Sequence, residues 1–441
     1  MGCAKTSVTI TLRSPSEGLR LMICGPLAEG RSVMDRPDDV LAEFASPGFL
    51  RDPHPLLQWL RENEPVHRTR AGYYLVSRHT DADRVLRKSG TEFRGLDPAE
   101  VATLFPQASQ HPSLAFLAGS LASKNPPEHT RLRRSVARAF TPRHVNTMRG
   151  EIEAICERLI RAMTEALNDG EVVDLHSGLS RPMTVDVIST LLGVPEADRD
   201  WLAESVDGIV RGFVARSVET IRTADDSTVR LEEYFRELMA QRRHEPRDDL
   251  LSLLVGDPGD GEERLSDEDV FPLLGSLWIA GFGSTAAGID FGVLAMAAYP
   301  DERGHLLGGH DKTVAFVNEV ARHAGGPFLF TSVPRIAVTD IELSGVRIRA
   351  GSDVRPLFAA ANRDPAVFPE PDRFLPGRDN SRTLAFGAGI HSCLGAFLAR
   401  DQIAIALSRL YDSFPGLMCA GAPQWGGTGH LRFPLNLPVS L

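Results

Sequence analysis

The longest apolar segment of the chain runs from Phe271 to Tyr299 and is rich in glycine and alanine. A segment of this length could form a helix that spans a membrane. Polar Ser284, Thr285 and Asp290 interrupt it, and no basic residues flank it as they flank most membrane helices. The pattern therefore favours a buried helix that crosses a globular domain, with small residues where a flat ligand approaches.

Helical spacing of apolar residues also extends through residues 148–255 and from Leu394 to Tyr411. Strand patterns are short: Tyr73–Val76 is the clearest, and the glycine-containing stretch Trp425–Leu441 is typical of a turn between strands. Residues 91–124 are irregular and apolar in patches, which is typical of a long loop that serves a site or is disordered.

Charge and cysteine content narrow the class of protein. The 441 residues carry a net charge of −10, which argues against nucleic acid or an anionic membrane as partners. The five cysteines are an odd number without a paired framework, so we expect a reducing, cytoplasmic location. Residues 1–36 lack the apolar core and cleavage site of a signal peptide. We expect an N-terminal extension there, either disordered or an artefact of start-site assignment.

A glycine-rich stretch around one cysteine carries the clearest chemical signal: residues 386–395 read FGAGIHSCLG. Gly387 and Gly389 can adopt backbone angles closed to other residues, so a tight loop can press its amides against a flat group. The apolar run that follows places Cys393 at a helix N-terminus, where amides and the helix dipole favour a thiolate. These residues alone leave open an iron ligand or a buried structural cysteine. A zinc site with His391 fits poorly, because two ligands at i, i+2 do not complete a tetrahedron.

The spacing F-G-x-G-x-H-x-C-x-G resembles the haem-binding loop of the cytochrome P-450 family, and further motifs follow in that family's order. Residues 280–285, AGFGST, lie where the family has A-G-x-acid-Thr-Thr, and Glu319 with Arg322 matches its E-x-x-R. The resemblance covers roughly residues 40–441. It implies a mainly α-helical fold with small β-sheets, one large catalytic domain over residues 37–441, and haem b as the cofactor.

The resemblance also implies roles for individual residues. Cys393 would be the axial metal ligand, and Phe386, Gly387 and Gly395 would belong to the loop that holds the haem. Four residues at matching positions would neutralise the haem propionates: His129, Arg133, Arg335 and His391. A structural network that holds the loop and does no chemistry would contain Glu319, Arg322 and Arg373.

The chain departs from the family pattern in the long helix. Gly283 stands where the family has an acidic residue, Ser284 stands at its threonine, and Thr285 follows. These three positions are the catalytic candidates, because the family's pair organises proton delivery to oxygen. Asp290 lies about 10 Å further along the helix axis and cannot simply replace the missing carboxylate. The departure puts ordinary hydroxylation in question and suggests that the substrate assists proton delivery.

Together these features imply a haem-thiolate monooxygenase that oxidises a small organic substrate with O2, in secondary-metabolite biosynthesis of the antibiotic type. One alternative is an atypical enzyme of the same family that couples or cyclises its substrate. Another is a haem-binding sensor without turnover. The candidate substrate-pocket residues are Ala280, Phe282, Phe328 and Leu329.

The two electrons for such a reaction must come from another protein. The chain has no dinucleotide-binding fingerprint after a strand and no iron–sulfur cysteine run. We therefore expect a ferredoxin or flavodoxin that is served by an NAD(P)H-dependent reductase. Arg131, Arg134 and Arg138 share one predicted helix face and are the candidate landing site.

Overall fold

The computed structural model describes residues 39–97, 100, 110–215, 217–257, 264–331, 333–427 and 430–441. The extension predicted over residues 1–36 lies outside the described residues. Helices make up most of the described chain. The first eight are α1 (Val40–Glu43), α2 (Pro47–Arg51), α3 (His54–Asn63), α4 (His79–Arg87), α5 (Pro112–Gly119), α6 (Glu128–Ala137), α7 (Pro142–Asn168) and α8 (Arg181–Leu192). The others are α9 (Arg199–Ala215), α10 (Val218–His244), α11 (Leu250–Val255), α12 (Asp267–Ala298), α13 (Arg303–Leu306), α14 (His310–Ala324), α15 (Phe358–Ala361) and α16 (Ala396–Ser413).

The strands are short and build small sheets. They are β1 (Val66–Arg68), β2 (Tyr74–Val76), β3 (Phe93–Arg94), β4 (Val173–Asp174), β5 (Arg335–Ala337), β6 (Ile341–Leu343), β7 (Val346–Ile348), β8 (Asp353–Pro356), β9 (Met418–Cys419), β10 (Trp425–Gly426), β11 (Phe433–Pro434) and β12 (Pro438–Ser440). The largest sheet has the order β1-β2-β8-β5-β3, in which only β2 and β8 pair in parallel. The order β4-β12-β9 forms a second sheet, and β6-β7 and β10-β11 are antiparallel pairs. The predicted strand at residues 73–76 is confirmed as β2. The stretch Trp425–Leu441, predicted to be a turn between strands, itself contains the strands β10, β11 and β12.

The region with helical spacing, residues 148–255, is confirmed as helical and divides into α7 to α11. Gly193 ends α8 with a left-handed φ of 79°, a conformation that glycine adopts without strain. Ser217 and Thr220 start α10 with reciprocal side-chain-to-backbone hydrogen bonds. Local polar and glycine residues therefore set the boundaries that apolar spacing alone leaves undefined.

Helix α12 crosses the core, as its apolar length predicts. Ser266 and Asp269 form a capping box that fixes its first turn. Among the described residues, α12 is the one helix that is long and apolar enough to cross a membrane. However, 67% of its most apolar 18-residue window is buried inside the protein. The prediction of a buried helix is confirmed.

Most glycines of α12 serve the packing of other helices. At four of them an added Cβ would lie only 2.4–2.8 Å from a neighbouring side chain: Gly275 against Phe116, Gly281 against Ile188, Gly288 against Ile403 and Gly292 against Leu407. Gly283 differs, because a Cβ there would meet no heavy atom within 4 Å. The sequence interpretation assigned these small residues to an approaching ligand. The structure leaves only Gly283, among these five glycines, beside open space.

Candidate active site

Cys393 lies in a tight loop between a 3₁₀ turn at Gly389–His391 and helix α16. Its N–H donates to the carbonyl oxygen of Phe386 at 2.8 Å, which closes the loop. Gly387 and Gly389 have φ values of 64° and 71°, and a Cβ on Gly389 would lie 2.5 Å from a backbone oxygen at the end of α4. The sequence interpretation placed Cys393 at the helix N-terminus, but α16 begins three residues later, at Ala396.

The loop does not by itself make Cys393 a thiolate. Burial raises the pKa of the thiol, and this effect outweighs the Gly395 amide, Arg400 and Arg133, which all favour the charged form. The stabilised thiolate stays a prediction for the protein with its metal bound, and the Gly395 amide acts in the direction that it requires. Coordination of a metal would displace the proton, because the ligand must be deprotonated.

Four basic side chains beside the loop fit the carboxylates of a haem. The rings of His129 and His391 meet edge to face at 4.4 Å between centroids, and Arg133 donates to Ser392 Oγ at 3.3 Å. Among the described residues, both ring nitrogens of His129, Nε2 of His391 and Nε of Arg335 are buried without a hydrogen-bond partner. Burial and the charge of Arg335 lower the pKa of His391 to about 3. Orphaned buried polar atoms require a partner, and two propionate groups would supply one.

Glu319 and Arg322 form a fully buried ion pair on α14. Arg322 donates to both carboxylate oxygens of Glu319, at 2.7 and 2.8 Å, and neither side chain is exposed. Arg322 also donates to the carbonyls of Asn362 and Pro371, and Glu319 accepts from the amide of Leu375. The pair therefore fastens the segment that leads to the cysteine loop.

The structure does not place the side chain of Arg373 in this network. Its guanidinium is 59% exposed and pairs with Glu370, and only its backbone oxygen accepts from Arg322. The nearby arginine that reaches Glu319 is Arg378, whose Nε lies 3.6 Å from Oε1 and whose side chain is 8% exposed. The assignment of Arg373 is therefore corrected to Arg378. Five residues separate the two in an irregular segment, where sequence spacing does not show which side chain turns inward.

The catalytic candidates on α12 differ in exposure, because Gly283 and Ser284 are at least partly exposed whereas Thr285 is buried. Ala280 and Gly283 are exposed one helical turn apart, and Ser284 lies beside them. The Ser284 hydroxyl donates to the carbonyl oxygen of Ala280 at 2.7 Å. Thr285 is only 3% exposed and packs in the core. We call the exposed residues Ala280 and Gly283 the open strip of α12.

Asp290 cannot serve as the missing acid. It is fully buried, and both of its oxygens are occupied. His176 Nδ1 lies 2.6 Å from Oδ2, and Ser180 Oγ donates to Oδ1 at 2.6 Å. These contacts agree with the conclusion from the sequence that Asp290 cannot replace the missing carboxylate.

Two of the four predicted pocket residues face away from open space. Phe328 is 38% exposed and Ala280 is exposed, whereas Leu329 is fully buried and Phe282 is 5% exposed. Phe328 and Leu329 are consecutive in an extended segment that bonds to residues 430 and 431, so their side chains point to opposite sides. Leu329 packs in the core with Phe44, and Phe282 packs in the main core.

Sequence reasoning missed a polar recess of about 770 Å³ beside the cysteine loop. Its lining includes Arg87, Asn318, Arg378, Asp379, Asn380, Cys393 and Arg400. Arg400 lies over the ring of Phe386 at 4.2 Å. Several polar atoms of the recess are buried and have no hydrogen-bond partner in the part of the chain that the structure describes: Nε of Arg400, Oδ1 of Asn318 and both amide atoms of Asn380. Arg400 lies seven residues after Cys393 and about one turn into α16, and a basic residue so close behind the cysteine loop is a signal that could have identified it.

The cytochrome P450 family model matches residues 313–424. Cytochrome P450 BJ-3 of Bradyrhizobium diazoefficiens is 42% identical over 414 residues, which cover 91% of this chain and 96% of the relative. The chain belongs to the cytochrome P450 family. Nocardicin C N-oxygenase of Nocardia uniformis is 36% identical over 419 residues, 92% of this chain and 100% of that protein. The solved structure of P450BioI in complex with an acyl carrier protein ligated to hexadec-9Z-enoic acid has a TM-score of 0.80 and 28% identity, and the match covers 90% of this chain and 100% of that one.

Family membership confirms the central expectations from the sequence. This P450 is an oxidoreductase of the monooxygenase type with the mainly α-helical fold and small sheets of the family. Its cofactor is haem b, and it requires electrons from a redox partner.

Proposed function

We propose that this P450 inserts one oxygen atom of O2 into a small organic molecule of bacterial secondary metabolism, and that Cys393 is the residue that would hold the haem iron. The observation that carries the proposal is a loop-held cysteine beside buried basic groups that, among the described residues, have no partner. A thiolate-ligated haem supplies oxygen activation when bound. Substrate, O2, two electrons and two protons give the hydroxylated product and water.

The roles of the chain's own residues follow from their contacts. Four residues would hold the two haem propionates: His129, Arg133, Arg335 and His391. The propionates would give partners to the buried nitrogens of His129, His391 and Arg335 that have none among the described residues. Phe386 and Gly387 shape the loop, and the Gly395 amide donates to the sulfur of Cys393. A hydrogen bond to the sulfur lowers its charge density and tunes the ligand.

Proton delivery in this P450 involves the substrate. Gly283 offers no acid and leaves open space, and the Ser284 hydroxyl already donates to a backbone oxygen. A hydroxyl can relay a proton but is a poor source of one. A polar group of the substrate, or water that the substrate positions, occupies the open strip and completes the relay. Thr285 supports the helix from the core side and does not contact the substrate.

The substrate class follows from the relatives and from the open strip. A relative that covers nearly the whole chain is named as an N-oxygenase of nocardicin C. Ala280 and Gly283 have small side chains or none, so α12 admits a bulky substrate on this side. Functional groups on a multifunctional natural product would provide the polar arm that the relay requires.

The electron donor is a ferredoxin or flavodoxin that docks at the polar recess. The charged residues that line the recess are three basic ones, Arg87, Arg378 and Arg400, and one acidic one, Asp379. Amide and guanidinium atoms there have no hydrogen-bond partner among the described residues, and they suit carboxylates on an acidic protein. The landing site predicted on α6 is less available, because Arg131 pairs with Asp269 at 3.0 Å. Arg134 remains exposed on that helix, and Arg138 is exposed just after its last residue, Ala137.

An isotope experiment tests the proposal. The purified haem protein receives electrons from NADPH, a reductase and either a ferredoxin or a flavodoxin, under ¹⁸O2, with a panel of bacterial secondary metabolites that includes nocardicin C. One ¹⁸O atom in the product for each pair of electrons supports monooxygenation. A coupled or cyclised product without ¹⁸O would contradict it, and NADPH consumption unchanged by every compound would favour a sensor.

A further inference from the structure

Arg400 carries a positive charge that has no acidic partner among the described residues. It lies near the start of α16 and lines the same recess as Cys393. Its Nε is buried without a hydrogen-bond partner, and no described carboxylate forms an ion pair with its guanidinium. Asp379, the acidic residue of the recess, is exposed and accepts a hydrogen bond from the Ser381 amide. A partly buried charge without a partner is costly, so the position of Arg400 requires an explanation.

The other two arginines that line the recess differ from Arg400, because each has an acidic neighbour. Arg87 pairs with Asp83 at 2.8 Å and is 59% exposed. Arg378 Nε lies 3.6 Å from Glu319 Oε1. Arg400 is also not one of the four basic residues that fit the haem propionates. Neither an acidic neighbour in the described chain nor a propionate therefore accounts for its charge.

The guanidinium of Arg400 is held against the cysteine loop. Its central carbon lies 4.2 Å from the centre of the Phe386 ring, which is the distance of a cation–π contact. Phe386 is the residue whose carbonyl oxygen accepts the Cys393 N–H and closes the loop. Burial raises the pKa of Cys393, and the charge of Arg400 is one of the groups that oppose this rise. Burial lowers the pKa of Arg400, and Cys393 opposes that fall, so the two groups are close enough to interact electrostatically.

A metal bound to Cys393 would supply the negative charge that Arg400 lacks. A cysteine that ligates a metal is a thiolate, whereas an arginine keeps its proton in proteins. The thiolate would then lie beside a permanent cation that is not neutralised by any described carboxylate. This arrangement places one uncompensated positive charge next to the ligand atom itself.

We propose that Arg400 tunes the haem site through Cys393: its unpaired positive charge beside the sulfur weakens electron donation from the ligand and raises the reduction potential of the haem. A nearby cation stabilises a centre that has accepted one electron, and the guanidinium neither gains nor loses a proton in that step. Arg400 acts through Cys393 and does not touch the reacting atoms. This role rests on the proposed function, because it requires Cys393 to hold a haem, and it decides which electron donors can reduce this P450.

A redox titration of the purified haem protein tests the proposal. Small dyes serve as mediators and no donor protein is present, so docking at the recess does not contribute. Arg400→Met removes the charge and should lower the equilibrium constant for reduction about tenfold, which is about 59 mV for a one-electron couple. Arg400→Lys keeps a positive charge and should retain most of the wild-type potential. Arg400→Gln removes the same charge and gives the same comparison if Arg400→Met does not take up haem.

A vibrational measurement checks the same effect at the ligand. Loss of the cation should lower the C–O stretching frequency of the reduced carbon monoxide complex, because a more electron-rich iron returns more electron density to CO. A change that only loosened the loop would broaden this band without shifting it in one direction.

The control is an arginine of the same recess whose charge is already paired. Arg87→Met removes an exposed cation beside Asp83 and should leave the potential unchanged. Equal potentials for the wild type and Arg400→Met would overturn the proposal, and so would an equal fall in Arg400→Lys or in Arg87→Met. A wild-type protein without the thiolate-type carbon monoxide band would instead contradict the haem site and the proposed function with it.

Discussion

At the scale of single residues, the ion pair of Glu319 and Arg322 shows what a buried charge requires. Removing two charges from water is costly, and the attraction between them compensates only when the remaining donors and acceptors are satisfied. Arg322 meets this condition with three backbone carbonyls, those of Asn362, Pro371 and Arg373. The same contacts hold the backbone that precedes the cysteine loop.

The arginine that completes this network can be identified by paired substitutions. Arg378→Met removes a nearly buried guanidinium that donates to the carbonyls of Pro369 and Glu370, so it should lower the free energy of unfolding by about 1–3 kcal/mol. Arg373→Met removes an exposed ion pair with Glu370 and should change the free energy of unfolding by less than about 0.5 kcal/mol. Urea unfolding of the two variants measures the difference, and a larger loss for Arg373→Met would restore the original assignment.

The sequence predicted the residues whose chemistry depends on a motif and missed those whose orientation depends on the backbone path. Cys393 was identified because glycines at fixed spacing define its loop. Arg378 was missed and Leu329 was misjudged, because their segments have no helical or strand period long enough to show which side chains turn inward.

At the scale of elements, α12 combines tight packing with one open position. Its length followed from the sequence, but the function of each glycine did not. Gly281 fits against Ile188 of α8, whereas Gly283 meets nothing within 4 Å. Glycine content alone cannot separate close helix packing from open space, because both uses favour the same residue.

Two alanine substitutions distinguish a glycine that permits close helix packing from a glycine that lies beside open space. Gly281→Ala forces a Cβ to within 2.8 Å of Ile188 and should lower the free energy of unfolding by about 1–3 kcal/mol. Gly283→Ala adds a methyl group in open space and should raise it by up to about 1 kcal/mol through helix propensity. Chemical unfolding of both variants checks this, and similar losses at the two positions would contradict an open position 283.

The contact between α12 and the π-turn His176–Ser180 should make stability depend on pH. Burial alone would lower the pKa of His176, but the hydrogen bond and charge of Asp290 raise it above its usual 6.5. A raised folded pKa contributes stability that is complete below pH 6.5 and is lost as the pH rises through the folded value.

The free energy of unfolding should therefore fall between pH 6 and pH 9, and His176→Gln should remove most of this fall. Unfolding by urea at a series of pH values measures the slope. His305→Gln, which replaces a half-exposed histidine beside Glu302, is the matched control for the substitution itself. An identical slope in the wild type and His176→Gln would show that the contact does not titrate in this range.

At the scale of the whole molecule, the order of motifs predicted the fold that the structure and the relatives show. The position of each helix relative to the others did not follow from the sequence, because it depends on contacts between distant residues such as Gly292 with Leu407. The same limit applies to surfaces. The polar recess joins residues of α4, α14, α16 and the segment between β8 and α16, and no single stretch of sequence contains it.

The most direct test of this account is the carbon monoxide difference spectrum of the reduced haem protein. The wild type should give the absorption band of a thiolate-ligated haem, and Cys393→Ala should abolish it. Cys419→Ala is the matched control, because this half-buried cysteine lies on β9 and should leave the band intact. A Cys393→Ala protein that binds haem and retains the thiolate band would contradict the assignment of Cys393 and the function built on it.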